Sequence, residues 1–435
     1  MTSDASPPVR APKVVRTGPV QVVVPPFDRN GWLVVVSKGA RTFGFGLLSV
    51  GIGLHFATIG IEPAVAGLIL GCALLGTMVL TLLIAIFGDR VGRRRFIFVG
   101  SLLMMLAVLV PIAGDAPLIL ALIAGTGAVA ATANESSGLV SADQAILPQT
   151  VPTERRTDAF AFYSLVAFVA SAAGSAALGP LVWIAEAMGA QDGARYNAVF
   201  IAYAASGLLA AIASLGLDAR AEVPPHERVQ GFAIKKSRRV VAEITALFAY
   251  DSFATGLILH GFLAYWFAAV HGLGAGELAL LFSLTAILGA FSFPLAAWLA
   301  NRFGLIATMV FTNGPSNLLL IAMAFVPAGP VLSWVAVGLY VVRSFLGMMD
   351  VPMRQSYVMA VVEPAERTAT AGVTSLVRSG AMTAGPFVGA LLLPLGLWAP
   401  IALSGVLKVG YNVMLWRAFK ARLTPEEKAK RDEDE

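Results

Sequence analysis

Apolar runs of about twenty residues recur along the whole chain, and few folds can hold them. An α-helix rises about 1.5 Å per residue, so a run of this length crosses the roughly 30 Å hydrocarbon core of a bilayer. Twelve runs can be marked, near 32–58, 64–87, 96–113, 117–138, 158–183, 196–217, 240–270, 277–300, 305–326, 330–350, 368–393 and 397–417. Lipid offers backbone N–H and C=O groups no partners, so each run must satisfy its own as helix. Only 13% of the 435 residues are charged, against about 25% in soluble chains. The expected fold class is an all-α polytopic membrane protein.

The basic residues set the orientation. Arg10, Lys13, Arg16 and Arg29 precede the first run, and Arg155 and Arg156 follow the fourth. Arg220, Arg228, Lys235, Lys236, Arg238 and Arg239 fill the middle of the chain. Arg302, Arg354 and Arg367 mark later loops, and Lys420 to Arg431 the tail. The other side has Arg195 against Glu62, Asp115, Glu186, Asp192 and Glu277. This is a positive-inside pattern with both termini cytoplasmic. It explains the pI of 9.4 without nucleic acid as a partner. Residues 1–31 read as a cytoplasmic tail without a signal peptide's apolar core. Residues 218–238, with Pro224-Pro225, read as a cytoplasmic linker between bundles at 32–217 and 239–418, and 419–435 as a charged cytoplasmic tail. The single cysteine, Cys72, excludes a disulfide framework and reads as packing.

Between the second and third runs lies Gly88-Asp89-Arg90-Val91-Gly92-Arg93-Arg94-Arg95. So short a link makes a hairpin, its arginines hold the tip on the cytoplasmic side, and Gly88 and Gly92 permit the turn. The two halves of the chain also repeat. Asp89-Arg90-Val91-Gly92 matches Asn301-Arg302-Phe303-Gly304 at a shift of 212. Gln144 and Arg156-Thr157 match Gln355 and Arg367-Thr368 at 211; Arg41-Thr42-Phe43 with Gly46-Leu47 matches Asp251-Ser252-Phe253 with Gly256-Leu257 at 210. Six spans repeated in parallel about an axis along the membrane normal is a transporter arrangement.

Asp89, Arg90, Gly92, Arg93 and Arg94 match the loop 2–3 signature of the major facilitator superfamily, Gly-x-x-x-Asp-Arg-x-Gly-Arg-Arg, whose first glycine is Ala85 here. The chain resembles that family over about 32–418. The resemblance implies two pseudo-symmetric six-helix bundles and alternating access, with the matched loop residues and Gly88 at a cytoplasmic gate. Asn301 stands where the second copy of the loop would have an acid, which weakens that latch. Gly385-Pro386-Phe387-Val388-Gly389 is similar to the Gly-Pro motif of family antiporters, normally in span 5, where Gly179-Pro180 stands. It leans toward exchange or efflux.

Charged groups inside spans are costly and face the protein interior. Arg41, Glu135, Asp251, Arg343 and Arg378 are the candidates for solute binding and proton coupling. Fourteen residues bring an ideal helix back to within about 40° of the same face. That adds Tyr265 to the Asp251 face, pairs His55 with Arg41, and turns His260 away. Lys38 reads as snorkelling toward water, Asp350 before Val351-Pro352 as a helix cap or stop, and Lys408 as structural. Since the resemblance puts spans 1 and 7 across a cavity from each other, Arg41 and Asp251 are expected to pair. The deep charges lean positive, which attracts anions. The expectation is a monomeric secondary transporter in the plasma or inner membrane, proton-coupled and leaning to efflux of a small organic anion or zwitterion. A proton-coupled uptake permease, a non-transporting sensor and a membrane enzyme are the alternatives. No clustered nucleophile, metal-ligand spacing, phosphate-binding loop or signalling domain supports the last two, so neither enzyme nor cofactor is expected.

One acid among four arginines yields a test. Asp89→Asn is expected to insert and fold normally yet slow transport in liposomes about tenfold or more, whereas Asn301→Ala slows it less. Wild-type rates from well-inserted Asp89→Asn would remove the latch.

Overall fold

A computed structural model describes residues 24–114, 116–133, 138–152, 156–218, 237–362 and 366–419. Most of the expected tails and linker, and Glu135, fall outside the described residues, as do the side chains of Gly88, Asp89 and Arg90; α1 already begins at Arg29, inside the expected N-terminal tail. The first half comprises α1 (Arg29–Thr58), α2 (Pro63–Val91), α3 (Arg93–Leu103) continuing through a tighter turn into α4 (Leu109–Ala113), α5 (Pro117–Ile123), α6 (Gly138–Ile146), α7 (Arg156–Ala187) and α8 (Asn197–Leu215). The second comprises α9 (Arg238–Gly256), α10 (His260–His271), α11 (Ala275–Phe303), α12 (Leu305–Ala324), α13 (Pro330–Met348), α14 (Asp350–Val361), α15 (Arg367–Leu392) and α16 (Trp398–Phe419).

Among the described residues, ten helices are long and apolar enough to cross a membrane, with α9 and α10 counted together. The interrupted crossing α5–α6 and α16, which carries Lys408 and Arg417, complete the twelve. The fold is all-α and polytopic, two pseudo-symmetric six-crossing bundles. Three crossings expected to be continuous are broken. The fourth unwinds after Ala124–Ala128, where Gly127 has φ +77°. The seventh breaks between Gly256 and His260. The tenth changes from α13 to α14 at Met349. Irregular backbone at membrane depth is tolerated only where protein or an aqueous cavity covers it.

The face on which α1 and α9 begin is here the basic face; Arg93, Arg94 and Arg95 open α3 there. Gly92 turns the chain with φ +107° and Gly304, its repeat equivalent, with φ +87°. Both values lie where a side chain is strained, so glycine is required at both. Gly88, by contrast, does not make the turn, because α2 runs on as helix to Val91.

Inside each half the repeat extends to close backbone contacts. A Cβ at Gly46 would overlap the Ser171 carbonyl, and one at Gly174 the Phe43 carbonyl, so α1 and α7 touch backbone to backbone. Gly256 meets Met382 and Gly385 in the same way, joining α9 to α15. The shifts from 46 to 256 and from 174 to 385 are 210 and 211. Small residues of this kind let helices approach where lipid supplies no hydrophobic drive.

The halves meet along α1 with α10, α2 with α15, and α7 with α11. Gly53 lies against the Gly261 carbonyl, Gly67 and Gly71 face Pro386, Phe387 and Ala390, and Gly179 packs on Gly276. Ser283 on α11 donates to the Ala172 carbonyl at 3.0 Å.

These contacts set an expectation for stability. Gly46→Leu should cost more than the about 1–3 kcal/mol of ordinary overpacking, because backbone and not a side chain occupies the space. Gly338→Ala, with nothing within 4 Å of its Cβ, is the control. Thermal unfolding in detergent should separate the two by several degrees, and equal melting temperatures would contradict the packing.

Candidate functional site

Arg41 lies twelve residues into α1, about 18 Å along its axis, and is 0% exposed. Its guanidinium is bound by Asp143 of α6, also 0% exposed, and donates to Ser37 at 2.6 Å. The Tyr163 hydroxyl of α7 donates to the same Asp143 oxygen at 2.8 Å. One ion pair thus ties α1, α6 and α7 together. Lys38 does not snorkel. It is buried, with its ammonium 5.3 Å from the Tyr163 ring.

The second half holds a longer chain of alternating charge. Lys408 of α16 donates to Asp251 Oδ1 at 2.8 Å and to Thr255 at 2.7 Å. Asp251 Oδ2 lies 3.2 Å from Arg354 of α14, and Arg354 is bound by Asp350. Asp350 is buried and opens α14, one residue after Met349, which stands at the change from α13 to α14. Pro352 sits in the first turn of α14, where its missing N–H removes no helical bond. Arg354 is no loop charge either. It is buried, with its guanidinium 5.0 Å from the Phe248 ring.

The expected Arg41–Asp251 pair is not formed in this structure. Each takes a partner within its own half, because α6 and α14 carry charges at the depth of α1 and α9. Those charges are themselves repeat equivalents. Asp143 and Arg354 stand 211 apart, and Arg41 and Asp251 stand 210 apart. The same ion pair is therefore built twice with its sign reversed. Asp143 and Arg354 escape the sequence reading because the apolar character of the fourth run ends near 138 and Val351-Pro352 resembles a helix stop. The matched Gln144 and Gln355, one residue further on, carried the signal.

Arg343 and Arg378 make no ion pair among the described residues. Arg343 Nε is buried without a hydrogen-bond partner, and the guanidinium lies 5.8 Å from the Tyr340 ring. Arg378 Nε donates to Ser252 at 3.0 Å. Both lie within electrostatic reach of Asp251.

The break at 257–259 removes the helical-phase reasoning for Tyr265 and His260. Tyr265 lies on α10, away from the charge chain, and its hydroxyl donates to the Ile61 carbonyl of the first half at 3.2 Å. It also lines a cleft of about 610 Å³ on the face opposite the basic one, with Trp183, Glu186 and Arg195. His260 packs on Phe282 at 5.6 Å and lies within reach of Arg343. His55 is a packing residue among Tyr196 and Phe200. Among the described residues no group of three metal-ligating side chains occurs.

The family model described as Major Facilitator Superfamily matches residues 35–386. The chain belongs to the Major Facilitator Superfamily. An uncharacterized membrane protein of Saccharomyces cerevisiae is 23% identical over 421 residues, 89% of this chain and 93% of that one. Among solved structures, an auto-inhibited POT family peptide transporter has a TM-score of 0.72 at 12% identity, covering 91% of this chain and 97% of its own. A D-xylose–proton symporter has a TM-score of 0.63 at 15% identity, covering 92% and 98%. At such identities the likeness fixes the fold and not the solute. The superfamily member described here is thus an integral multi-pass membrane protein of a secondary transporter class.

The ion pairs generate a stability test on this transporter. Asp143→Asn should destabilise by about 3–5 kcal/mol, since it leaves a buried guanidinium uncompensated. Arg41→Met combined with Asp143→Leu should recover most of that loss in thermal unfolding. A double variant as unstable as Asp143→Asn would show that the pair is not what the site needs.

Proposed function

We propose that this transporter moves a small organic anion or zwitterion by alternating access, coupled to protons and directed outward, with its basic face in the cytoplasm. The observation that carries this is the uneven balance of buried charge. Lys408 and Arg354 are offset by Asp251 and Asp350, and Arg41 by Asp143. Among the described residues Arg343 and Arg378 remain as two guanidiniums without an ion pair, on α13 and α15 within electrostatic reach of Asp251. A guanidinium presents a planar fork that binds a carboxylate or phosphate bidentately, so these two are the residues assigned to the solute. The excess positive field also raises the local concentration of anions.

Coupling to protons follows from the same group. A solute anion arriving among Arg343, Arg378 and Arg354 competes with Asp251 for cations, and a carboxylate that loses a cation takes a proton more readily. Glu135 is the second carboxylate for this role. The outward direction rests on the Gly385-Pro386 motif, and Gly385 sits at the contact of α15 with α9. The work is translocation, with no covalent chemistry, by a monomer in the plasma or inner membrane.

The test is counterflow in liposomes, preceded by a thermal-shift screen, since a ligand that binds the folded state raises its melting temperature. Carboxylate- or phosphate-bearing solutes should raise the melting temperature and exchange. Arg343→Gln and Arg378→Gln should each weaken that binding about tenfold or more, as expected for loss of a charged hydrogen bond. A protein stabilised only by lipophilic cations, or indifferent to both substitutions, would refute the anion assignment.

A further inference from the structure

The reversed sign of the duplicated ion pair has a geometric partner. α1 and α10 touch where Gly53 meets Gly261 and where Gly261 approaches the Ser49 carbonyl. The repeat equivalents of 49 and 53 are 259 and 263, at a shift of 210, so these helices meet across the pseudo-twofold axis at nearly equivalent positions. From that contact Arg41 lies twelve residues toward the basic face, about 18 Å along α1, and Asp251, its repeat equivalent at a shift of 210, lies ten residues the same way, beyond the break between Gly256 and His260. The two charges therefore stand at matching depth, one in each half. Closing the basic-face ends of the halves brings equivalent positions toward each other.

An unaltered duplication would bring like charges together in that movement. Here the equivalents are Arg41 with Asp251 and Asp143 with Arg354, opposite in sign both times. We propose that the transporter exchanges ion-pair partners as it changes face. Arg41–Asp143 and Arg354–Asp251 hold one end state, and Arg41–Asp251 and Arg354–Asp143 hold the other. This rests on the alternating-access reading above and names the residues that carry it.

The exchange leaves the number of ion pairs unchanged, so none of these four buried charges loses its opposite charge in either end state. Charged and polar groups on every packed element fit the movement. Lys408 on α16 stays on Asp251, and Asp350 on α14 stays on Arg354, so the second-half charges remain covered during transit. Ser37 on α1 and Tyr163 on α7 serve Arg41 and Asp143 in the same way. Arg378 on α15, held by Ser252, stands beside Asp251 and Asp350. Asp143 and Arg354 thereby become positioning residues for transport, acting on the gate and not on the solute.

Two double variants discriminate exchange from a purely local role. Arg41→Gln with Asp143→Asn removes both charges. Arg41→Asp with Asp143→Arg keeps the local pair and makes both cross pairs repulsive. Exchange expects the reversed variant to transport at least tenfold more slowly than the neutral one, at equal thermal stability or better. A reversed variant as fast as the neutral one overturns the proposal. Should the reversed variant not accumulate as folded protein, cross-linking decides. In a Cys72→Ser background, Arg41→Cys and Asp251→Cys should be joined within one chain by a short bis-thiosulfonate reagent, read by mass spectrometry. Absence of that link overturns the proposal. A link formed in a protein that exchanges no solute would refute the transport reading and leave the approach of the two positions standing.

Discussion

A charge buried in a bilayer-embedded protein is held only if an opposite charge or several hydrogen bonds hold it, and the helix arrangement here follows from that demand. Arg41, with no exposed surface, requires Asp143, so α6 must return to the depth of α1 after the fourth crossing unwinds. Asp251 requires a cation and receives two, from α14 and α16, which fixes both of those helices against α9. The broken crossings are where these charges become possible. A helix that restarts inside the protein can present Asp143 or Arg354 near its new end, while unwound backbone is covered by neighbours.

Glycine contacts supply the rigidity that the charges do not. Gly46 with Gly174 and Gly256 with Gly385 lock α1 to α7 and α9 to α15 at backbone distance, within each half. Between halves the contacts are smaller surfaces of Gly53, Gly67, Gly71 and Gly179, with hydroxyl bonds from Tyr265 and Ser283. Stiff halves joined through small-residue contacts are suited to rocking as bodies, which is the motion alternating access needs.

Much of the fold was legible in the sequence because lipid leaves so few options. Run length gave the crossings, and the repeat gave Gly92 and Gly304, whose positive φ values confirm equivalence at the level of the backbone. Helix interruptions were not legible, because the seventh crossing remains apolar through Leu257-Ile258-Leu259 while its backbone bonds are lost. Reasoning that depends on continuous helical phase has no footing there: Tyr265 lies beyond the break, and His260 packs on Phe282 without that phase to place it. The buried charges are legible one at a time but not as pairs. Arg354 reads as a cytoplasmic charge because Val351-Pro352 resembles a helix stop, and Asp143 lies beyond the apparent end of its run. A proline in the first turn is compatible with the helix that follows it, and α14 runs on to Val361, carrying Arg354 back into the protein.

The central claim is that two rigid halves swing about their axis while the buried charges stay paired. Spin-label distances test it most directly. One pair of labels replaces Phe87 and Phe303, exposed on the basic face, and another replaces Met188 and Val331, exposed on the opposite face. On addition of a ligand found by thermal shift, the two distances are expected to change in opposite senses, one shortening as the other lengthens. Distances that stay fixed, or that change in the same sense, would contradict the account.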